Sequence, residues 1–374
     1  MKFLTDQLTG GTLQGSLSAL SGVFFDTYIS KKGERAVKTF RKSLIALALV
    51  AGIANLTGCG AQTAANSDSS PSGGQAKYTV NLANNGSTGL ILLAKEKGWF
   101  EEEFSKIGGE VKWSEFPSGP ALVESLAAGR VDFSWLGDGA AISAQANNLP
   151  VTTLSLLSEG LKGLNIIIVP AESTAESLAD LKGKRIAIAK GTTLHVFFIK
   201  AIKQAGLKES DFQLIQLQSD EAIAAFESGA VDAWVGLDPY TSIQTAKNGA
   251  RVLTSGETLK IQAPVLTIGR TEFIQEHPEA AAAFLRGFQK AIDYQKEHRE
   301  EVVSFIANTK KADKSTIELV VQNSEYVNLP ISKEILAIQQ ASADILLESG
   351  FIKKKIDVTQ NTDSTAIETL KPTK

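Results

Sequence analysis

From Tyr78 onward, short apolar runs alternate with stretches whose apolar positions recur at helical spacing. Residues 78–83 are followed by 88–97, 110–116 by 120–128, and 131–136 by 139–147. Strands that alternate with helices at this spacing predict parallel sheets built from βαβ units. The same order then recurs: 185–189 leads into 193–205, 212–217 into 221–227, and 231–235 into 239–247. Letters recur with it. Gly129, Val131, Asp132, Asp138, Ala146 and Asn148 return as Gly229, Val231, Asp232, Asp238, Ala246 and Asn248, each one hundred positions later. Gly86-Ser87-Thr88 and Gly191-Thr192-Thr193 each close a strand and open a helix. The pattern predicts an α/β fold of two similar lobes, with parallel-rich sheets flanked by helices and a ligand cleft between them.

Ligands of open parallel sheets sit beyond the C-terminal ends of the strands, where these Gly-Ser/Thr-Thr turns are expected. Helix N-terminal N–H groups and hydroxyls there suit an anion, and the helix dipole adds to them. Ser118-Gly119 opens a third such helix. Apart from Lys190 beside the second turn, no Lys or Arg falls in these turns, so a singly charged oxyanion fits better than a phosphate cluster. Gly86 and Gly191 also suit plain turns needing φ > 0, and Ser87, Thr88, Thr192 and Thr193 also suit helix caps. Capping and ligand binding are compatible at one turn. Asp138 and Asp238 read as caps, with Pro239 set at a first helical position. Asp132 and Asp232, in the strands, read as structural. Trp135 and Trp234 end equivalent strands, where an indole packs on an aliphatic tail or fills core. His195 falls in a first helical turn, where it serves either as a neutral N–H donor to a ligand or as a surface residue.

The chain has 374 residues, a formal net charge of −3, 43% hydrophobic and 21% charged residues. That length carries two domains with real cores, and the near-neutral charge disfavours nucleic acid. A single Cys excludes disulfide scaffolds, Cys-based zinc sites and CxxC redox chemistry. Three dispersed histidines exclude a His-rich metal site, so neither metal nor cofactor is expected. The Cys itself is informative. Six cations between Lys31 and Lys42 precede an apolar run over 44–54, which Leu56-Thr57-Gly58-Cys59 closes. Eleven apolar residues are too few to span a bilayer and suit a signal-peptide core. The ending resembles a bacterial lipobox, in which Cys59 becomes the lipidated N-terminus. Cleavage there leaves 31 Lys and Arg against 38 Asp and Glu, a net of −7. The following residues to 77 are small and polar, a flexible tether with a reach of roughly 20–25 Å. Farther on, 260–269 reads as an apolar strand returning the chain to the first lobe, and 271–347 as helices capping that lobe. The expected organisation is a leader over 1–58, a tether over 59–77, lobe 1 over 78–165 with 262–358, lobe 2 over 166–261, and a disordered tail over 359–374.

The phrase Phe116-Pro117-Ser118-Gly119-Pro120-Ala121-Leu122-Val123-Glu124-Ser125-Leu126, then Gly137-Asp138, Lys190-Gly191-Thr192-Thr193-Leu194-His195, Val231-Asp232-Ala233-Trp234 and Asp238-Pro239-Tyr240, resembles a known family. It is that of the ABC-importer solute-binding proteins of the aliphatic-sulfonate group, which is related to taurine and nitrate receptors. The ending from Gln339-Gln340 to Val358 is most similar to the sulfonate branch, and the resemblance covers 78–358. It implies a type II periplasmic-binding-protein fold with two crossings between lobes, near 164–169 and 260–268. It places pocket turns at Asn85, Gly86, Ser87 and Thr88, at Ser118 and Gly119, at Gly137 and Asp138, at Gly191, Thr192, Thr193 and His195, and at Trp234 and Asp238. The chain departs from the family at Leu237, where many relatives carry an aromatic, and at Gly139-Ala140-Ala141, where prolines are frequent. The implied protein is a monomeric, non-enzymatic receptor held outside the cytoplasmic membrane. It hands an alkanesulfonate to a permease and its ATPase for sulfur supply. Taurine, nitrate, bicarbonate or a thiamine-precursor pyrimidine are alternative ligands. An enzyme on the same fold is the rival class, opposed by the leader and by the lack of a nucleophile–base pair. A purely structural envelope lipoprotein is a third.

Overall fold

The computed structural model describes residues 78–86 and 89–370. The leader, Cys59 and the tether lie outside the described residues, as do Ser87 and Thr88. Among the described residues, ten strands run in chain order as β1 (Tyr78–Asn85), β2 (Gly109–Phe116), β3 (Phe133–Gly137), β4 (Val151–Ser158), β5 (Ile166–Val169), β6 (Arg185–Ile188), β7 (Gln213–Gln216), β8 (Ala233–Gly236), β9 (Arg251–Ser255) and β10 (Val265–Arg270). They form two sheets of the same topology, β2-β1-β3-β10-β4 and β7-β6-β8-β5-β9. Within each sheet one strand, β10 or β5, runs antiparallel to both neighbours, and the other pairings are parallel. β5 follows the first lobe in sequence but belongs to the second sheet, and β10 does the reverse.

The displacement of one hundred holds down to single residues. Leu266 faces Leu136, and Ile166 faces Gly236. The ladder slips between Thr267 and Ile268 in one sheet and between Ile167 and Ile168 in the other. Asp132 and Asp232 are structural in both lobes: each carboxylate accepts a strand N–H at 2.8 Å, from Asn81 and Arg185 respectively. Arg270 pairs with Asp132 and Arg185 with Asp232, both at 2.8 Å. The fourth strands, β4 and β9, are absent from the alternation read along the sequence. Val151–Ser158 is buried on both faces, so it lacks the apolar–polar alternation that marks a strand.

The crossings occupy residues 159–165 and 256–264, and they run back to back. Gly160 adopts φ +68, and a Cβ there would lie 1.8 Å from the carbonyl oxygen of Ala263. Asn165 accepts the Gly256 N–H at 2.9 Å. Each lobe also bonds to a crossing from the junction after its third strand: Asp138 N–H donates to Pro264 O and Asp238 N–H to Gly163 O, both at 2.9 Å.

Most C-terminal helices cover the first lobe. The helix Pro278–Glu297 stacks Phe284 on Phe100 and Phe133, at centroid distances of 5.4 and 4.9 Å. The helix Lys333–Glu348 does more than cap. Its Ala343 and Leu346 share one buried cluster with Ile142 of the first lobe and Val196 and Ile199 of the second. Residues 359–370 correct the expectation of a disordered tail. A 3₁₀ turn, Val358–Asn361, and a short helix, Thr365–Glu368, follow one another, and Ile367 is buried in the first lobe's core. β4 is an edge strand, and the tail occupies that edge: Asp363 N–H donates to Thr153 O at 2.9 Å.

A buried carboxylate fastens Pro278–Glu297 to the helix Trp99–Ser105. Burial pushes the Glu103 carboxyl up, but bonds from Lys106 (2.6 Å), Lys290 (2.7 Å) and Arg286 (2.7 Å) outweigh this and hold it at about 2. The resulting stability is present above the ordinary glutamate range and is lost as pH falls through about 2. Glu103→Gln is expected to cost about 3 kcal/mol at neutral pH and to flatten the fall in stability below pH ~4.5. Urea unfolding at a series of pH values measures both.

Candidate ligand-binding site

A cavity of about 440 Å³ lies where the two lobes meet the crossings. That is enough for a small organic molecule. The first lobe supplies Asn84, Asn85 and Gly86 at the end of β1, Phe116 to Gly119 after β2, and Trp135 and Gly137 of β3. The second supplies Ala189, Thr192, Thr193, Leu237, Asp238 and Tyr240. Leu90, Ile91, Leu157, Val265 and Phe288 give one wall an apolar surface.

Two helix N-termini open onto this cavity from opposite lobes. Gly119–Ala127 starts after Ser118, and Thr193–Gln204 after Thr192. Ser118 is extended, at φ −161 and ψ 162, and its hydroxyl caps no N–H of its own helix. First-turn N–H groups have no intrahelical acceptor, and their aligned dipoles favour negative charge. Formal cations contribute little. Lys162, the one lysine or arginine among the lining residues, is paired with Glu325 at 2.9 Å. Lys310 lies over the Tyr240 ring, 5.1 Å from its centroid; burial lowers its pKa and nearby Asp220 raises it, with a net downward shift. The arrangement is a donor-bearing end beside an apolar wall; its lining also holds the carboxylates of Glu115, Asp220, Asp238 and Glu325, of which Glu115 is paired with Lys95 and Glu325 with Lys162.

The expected site residues divide into three groups. Asn85, Gly86, Ser118, Gly119, Gly137, Thr192, Thr193 and Asp238 line the cavity. Their donors are not all free. Gly86 N–H is spent on Phe116 O at 2.8 Å, and Asn85 Nδ2 donates to Trp135 O at 3.1 Å. Asp238 Oδ1 caps the helix Tyr240–Asn248, accepting from Thr241 Oγ1 (2.7 Å), Ser242 N (3.0 Å) and Ser242 Oγ (2.7 Å). Ser87 and Thr88 fall outside the described residues.

The remaining four do not line the cavity. Gly191 makes the left-handed turn at φ +77 and packs under Phe351. His195 is buried and serves that turn. Its Nδ1 accepts the Gly191 N–H at 3.3 Å, which leaves Nε2 to donate to Glu209 at 2.9 Å. Trp234 is 2% exposed and fills core beside Phe226. Asp138 is wholly buried with Lys200 and Ser342 near it; burial raises its pKa and the Lys200 charge opposes the rise. Its Oδ1 takes the Gly139 N–H at 2.8 Å, so that N–H is not free for a ligand. Conversely, Asn84, Asn165, Phe288 and Tyr326 line the cavity without having been singled out. Asn84 adjoins an expected residue, and the left-handed φ of Asn165 (+61) matches a preference of asparagine, but Phe288 and Tyr326 reach the cavity only through tertiary packing.

Among the described residues, no group of three or more His, Cys, Asp or Glu is placed to hold a metal ion. A family model described as NMT1/THI5-like matches residues 84–302. The chain belongs to the NMT1/THI5-like family. A relative from Bacillus subtilis, a putative aliphatic sulfonates-binding protein, is 42% identical over 328 residues, covering 88% of this chain and 96% of its own. The alkanesulfonate-binding protein SsuA from Xanthomonas axonopodis pv. citri, solved bound to MOPS, superposes with a TM-score of 0.71 at 25% identity over 76% of this chain and 98% of that one. The periplasmic aliphatic sulphonate binding protein SsuA from Escherichia coli gives 0.67 at 28% identity over 76% and 91%. These neighbours carry the two-lobed periplasmic-binding-protein fold, which is the fold of this chain.

In this member of the family the lobes meet with little clearance. A Cβ on Gly137 would lie 1.9 Å from Thr193 Oγ1, and one on Gly139 would lie 2.6 Å from the Thr192 carbonyl oxygen. Gly139 sits in an ordinary helical turn that accepts alanine locally, so the obstruction is purely between lobes. Gly139→Ala is expected to hold the lobes apart and weaken ligand binding about 10-fold or more through loss of the closed population. The thermal midpoint without ligand should stay within a few degrees. Calorimetric titration of both proteins, with small-angle scattering for the lobe separation, tests this.

Proposed function

We propose that this chain is the substrate-binding component of an ABC importer, anchored outside the cytoplasmic membrane through Cys59, and that it captures aliphatic sulfonates for sulfur supply. The observation that carries the reading is the cavity's two-ended chemistry. Uncharged donors from two facing helix N-termini suit a weakly basic, singly charged oxyanion, and the wall of Leu90, Ile91, Leu157 and Phe288 suits a short carbon tail. The names of the relatives point to the same ligand class.

In the proposed cycle, Ser118 Oγ and the first-turn N–H groups at Gly119 and Thr193 hold the sulfonate oxygens. Because these donors come from both lobes, the ligand binds the closed form better than the open one and shifts the population toward it. Hydrogen bonds without a paired opposite charge give a site that also lets its ligand go. The permease then receives the sulfonate, with the ATPase driving import. No bond in the ligand is made or broken.

Two measurements test this reading. Thermal unfolding screened against alkanesulfonates, nitrate, bicarbonate and pyrimidines should show stabilisation by sulfonates, about 2.7 kcal/mol at 100 times the dissociation constant. Stabilisation by nitrate or a pyrimidine alone would replace the ligand. Cys59→Ser should move the protein from the membrane fraction to the soluble fraction, and an unchanged distribution would remove the anchor from the proposal.

A further inference from the structure

Lys310 ends the helix Arg299–Lys310, which packs on the first lobe: Val302, Val303 and Ile306 share a buried cluster with Leu93. Its ammonium meets the second lobe instead. Nζ lies over the Tyr240 ring, 5.1 Å from the centroid and 3.5 Å from Tyr240 Oη. The charge of Asp220, also in the second lobe, acts on it as well. Tyr240 and Asp220 both line the cavity, whereas Lys310 does not. The lysine is half-buried. The next helix, Lys314–Asn323, runs beside Tyr240–Asn248, so whole elements approach each other here and not one flexible side chain alone.

Asp220 opens the helix Ser219–Glu227 after β7, and β7 is the edge strand of its sheet opposite β5 and β9, to which the crossings attach. Opening about the crossings displaces that edge the most. An ammonium on an aromatic face is held more strongly once water is withdrawn from it. When the lobes part, Lys310, Tyr240 and Asp220 all return to water, which solvates each of them well. Such a contact forms on closure and is released without stranding a buried charge. We infer that Lys310 is a clamp across the cleft: carried by the first lobe and seated on Tyr240 of the second, it holds the lobes shut over a bound ligand and sets how slowly that ligand leaves. The inference rests on the closure in the proposed cycle above and adds a positioning residue that does not line the cavity. A cation beside an anion site has another way to act, by steering the anion inward, which alters the association rate and fades with salt. The clamp acts once the ligand is inside, so it alters dissociation.

The test is stopped-flow binding of propane-1-sulfonate to the intact chain at low and high salt, followed by tryptophan fluorescence, since Trp135 lines the cavity. Lys310→Met keeps the apolar stem and removes the charge. It should raise the dissociation rate about 10-fold and leave association within about 2-fold at both salts. Lys310→Arg keeps a cation on the ring and should stay within about 3-fold of the natural chain. Should Lys310→Met fail to fold, Lys310→Gln is the second charge-free variant, with the same expected rates. Unchanged dissociation without the charge, or a salt-dependent loss of association alone, would overturn the clamp and leave the sulfonate reading intact. Equal acceleration in Lys310→Arg would mark a mere packing contact and overturn it too. Failure of the natural chain to bind propane-1-sulfonate would count against the sulfonate reading, and small-angle scattering of the ligand-free proteins then decides the clamp. A lobe separation no greater in Lys310→Met than in the natural chain overturns it.

Discussion

Each sheet takes its antiparallel strand from the part of the chain that adjoins the other lobe, and the rest of the molecule follows from this exchange. It obliges the chain to cross twice. It sets the crossings back to back, with no room for a side chain at Gly160, and it gives both lobes the same register against them. The junctions after β3 and β8 each bond to a crossing, so the ends of the central strands are held at fixed places beside the cavity. The helix that opens at Thr193 is placed in the same way, by a strand hydrogen-bonded between β7 and β8. Two separately folded lobes on a loose linker would not bring these helix ends together without a larger loss of conformational freedom.

The proposed site relies on dipoles and hydroxyls where many anion sites use arginine. A buried ion pair formed with a ligand is held tightly and is costly to desolvate, and either property hampers a protein that must surrender what it catches. Donors fixed by helix geometry lose little freedom on binding, so modest individual bonds suffice. The lysines near the mouth are already engaged, Lys162 with Glu325 and Lys310 with Tyr240, and they add little net field inside.

The fold was legible because its repeat survives in the letters, and because the strand-to-helix turns carry Gly, Ser and Thr for reasons of backbone geometry that a reader can reconstruct. The strands β4 and β9 were not legible: burial on both faces removes the alternation from β4, and β9 is five residues long with Arg251 and Val252 exposed, too short and open to show one. Part of the cavity lining was readable for the same reason as the fold: Ser118-Gly119 and Thr192-Thr193 are strand-to-helix turns that reach it. His195 and Trp234 show the limit of that reasoning. Proximity along the chain placed them at the cleft, yet a helix turns successive side chains by about 100° and a strand alternates them, so a shift of one or two residues separates cavity from core. The ordered end of the chain was hidden in composition. Ser, Thr and Asp dominate residues 359–369, and a single buried isoleucine at 367, with the open edge of β4, holds the segment in place.

The helix Lys333–Glu348 packs on both lobes through an aliphatic cluster, flanked by polar bonds from Lys200 to Ser342 at 2.7 Å and from Lys203 to Glu348 at 2.6 Å. Any opening that separates the lobes must strain or slide that contact, in which Ala343 and Leu346 meet Val196 and Ile199. Association of this kind is driven by entropy near room temperature and strengthens on warming, unlike a contact made of hydrogen bonds. In the proposed cycle, the aliphatic part of this contact would give the balance between open and closed protein a thermal slope. Cold loosens the clasp and heat tightens it, and the heat capacity of lobe closure should carry its signature.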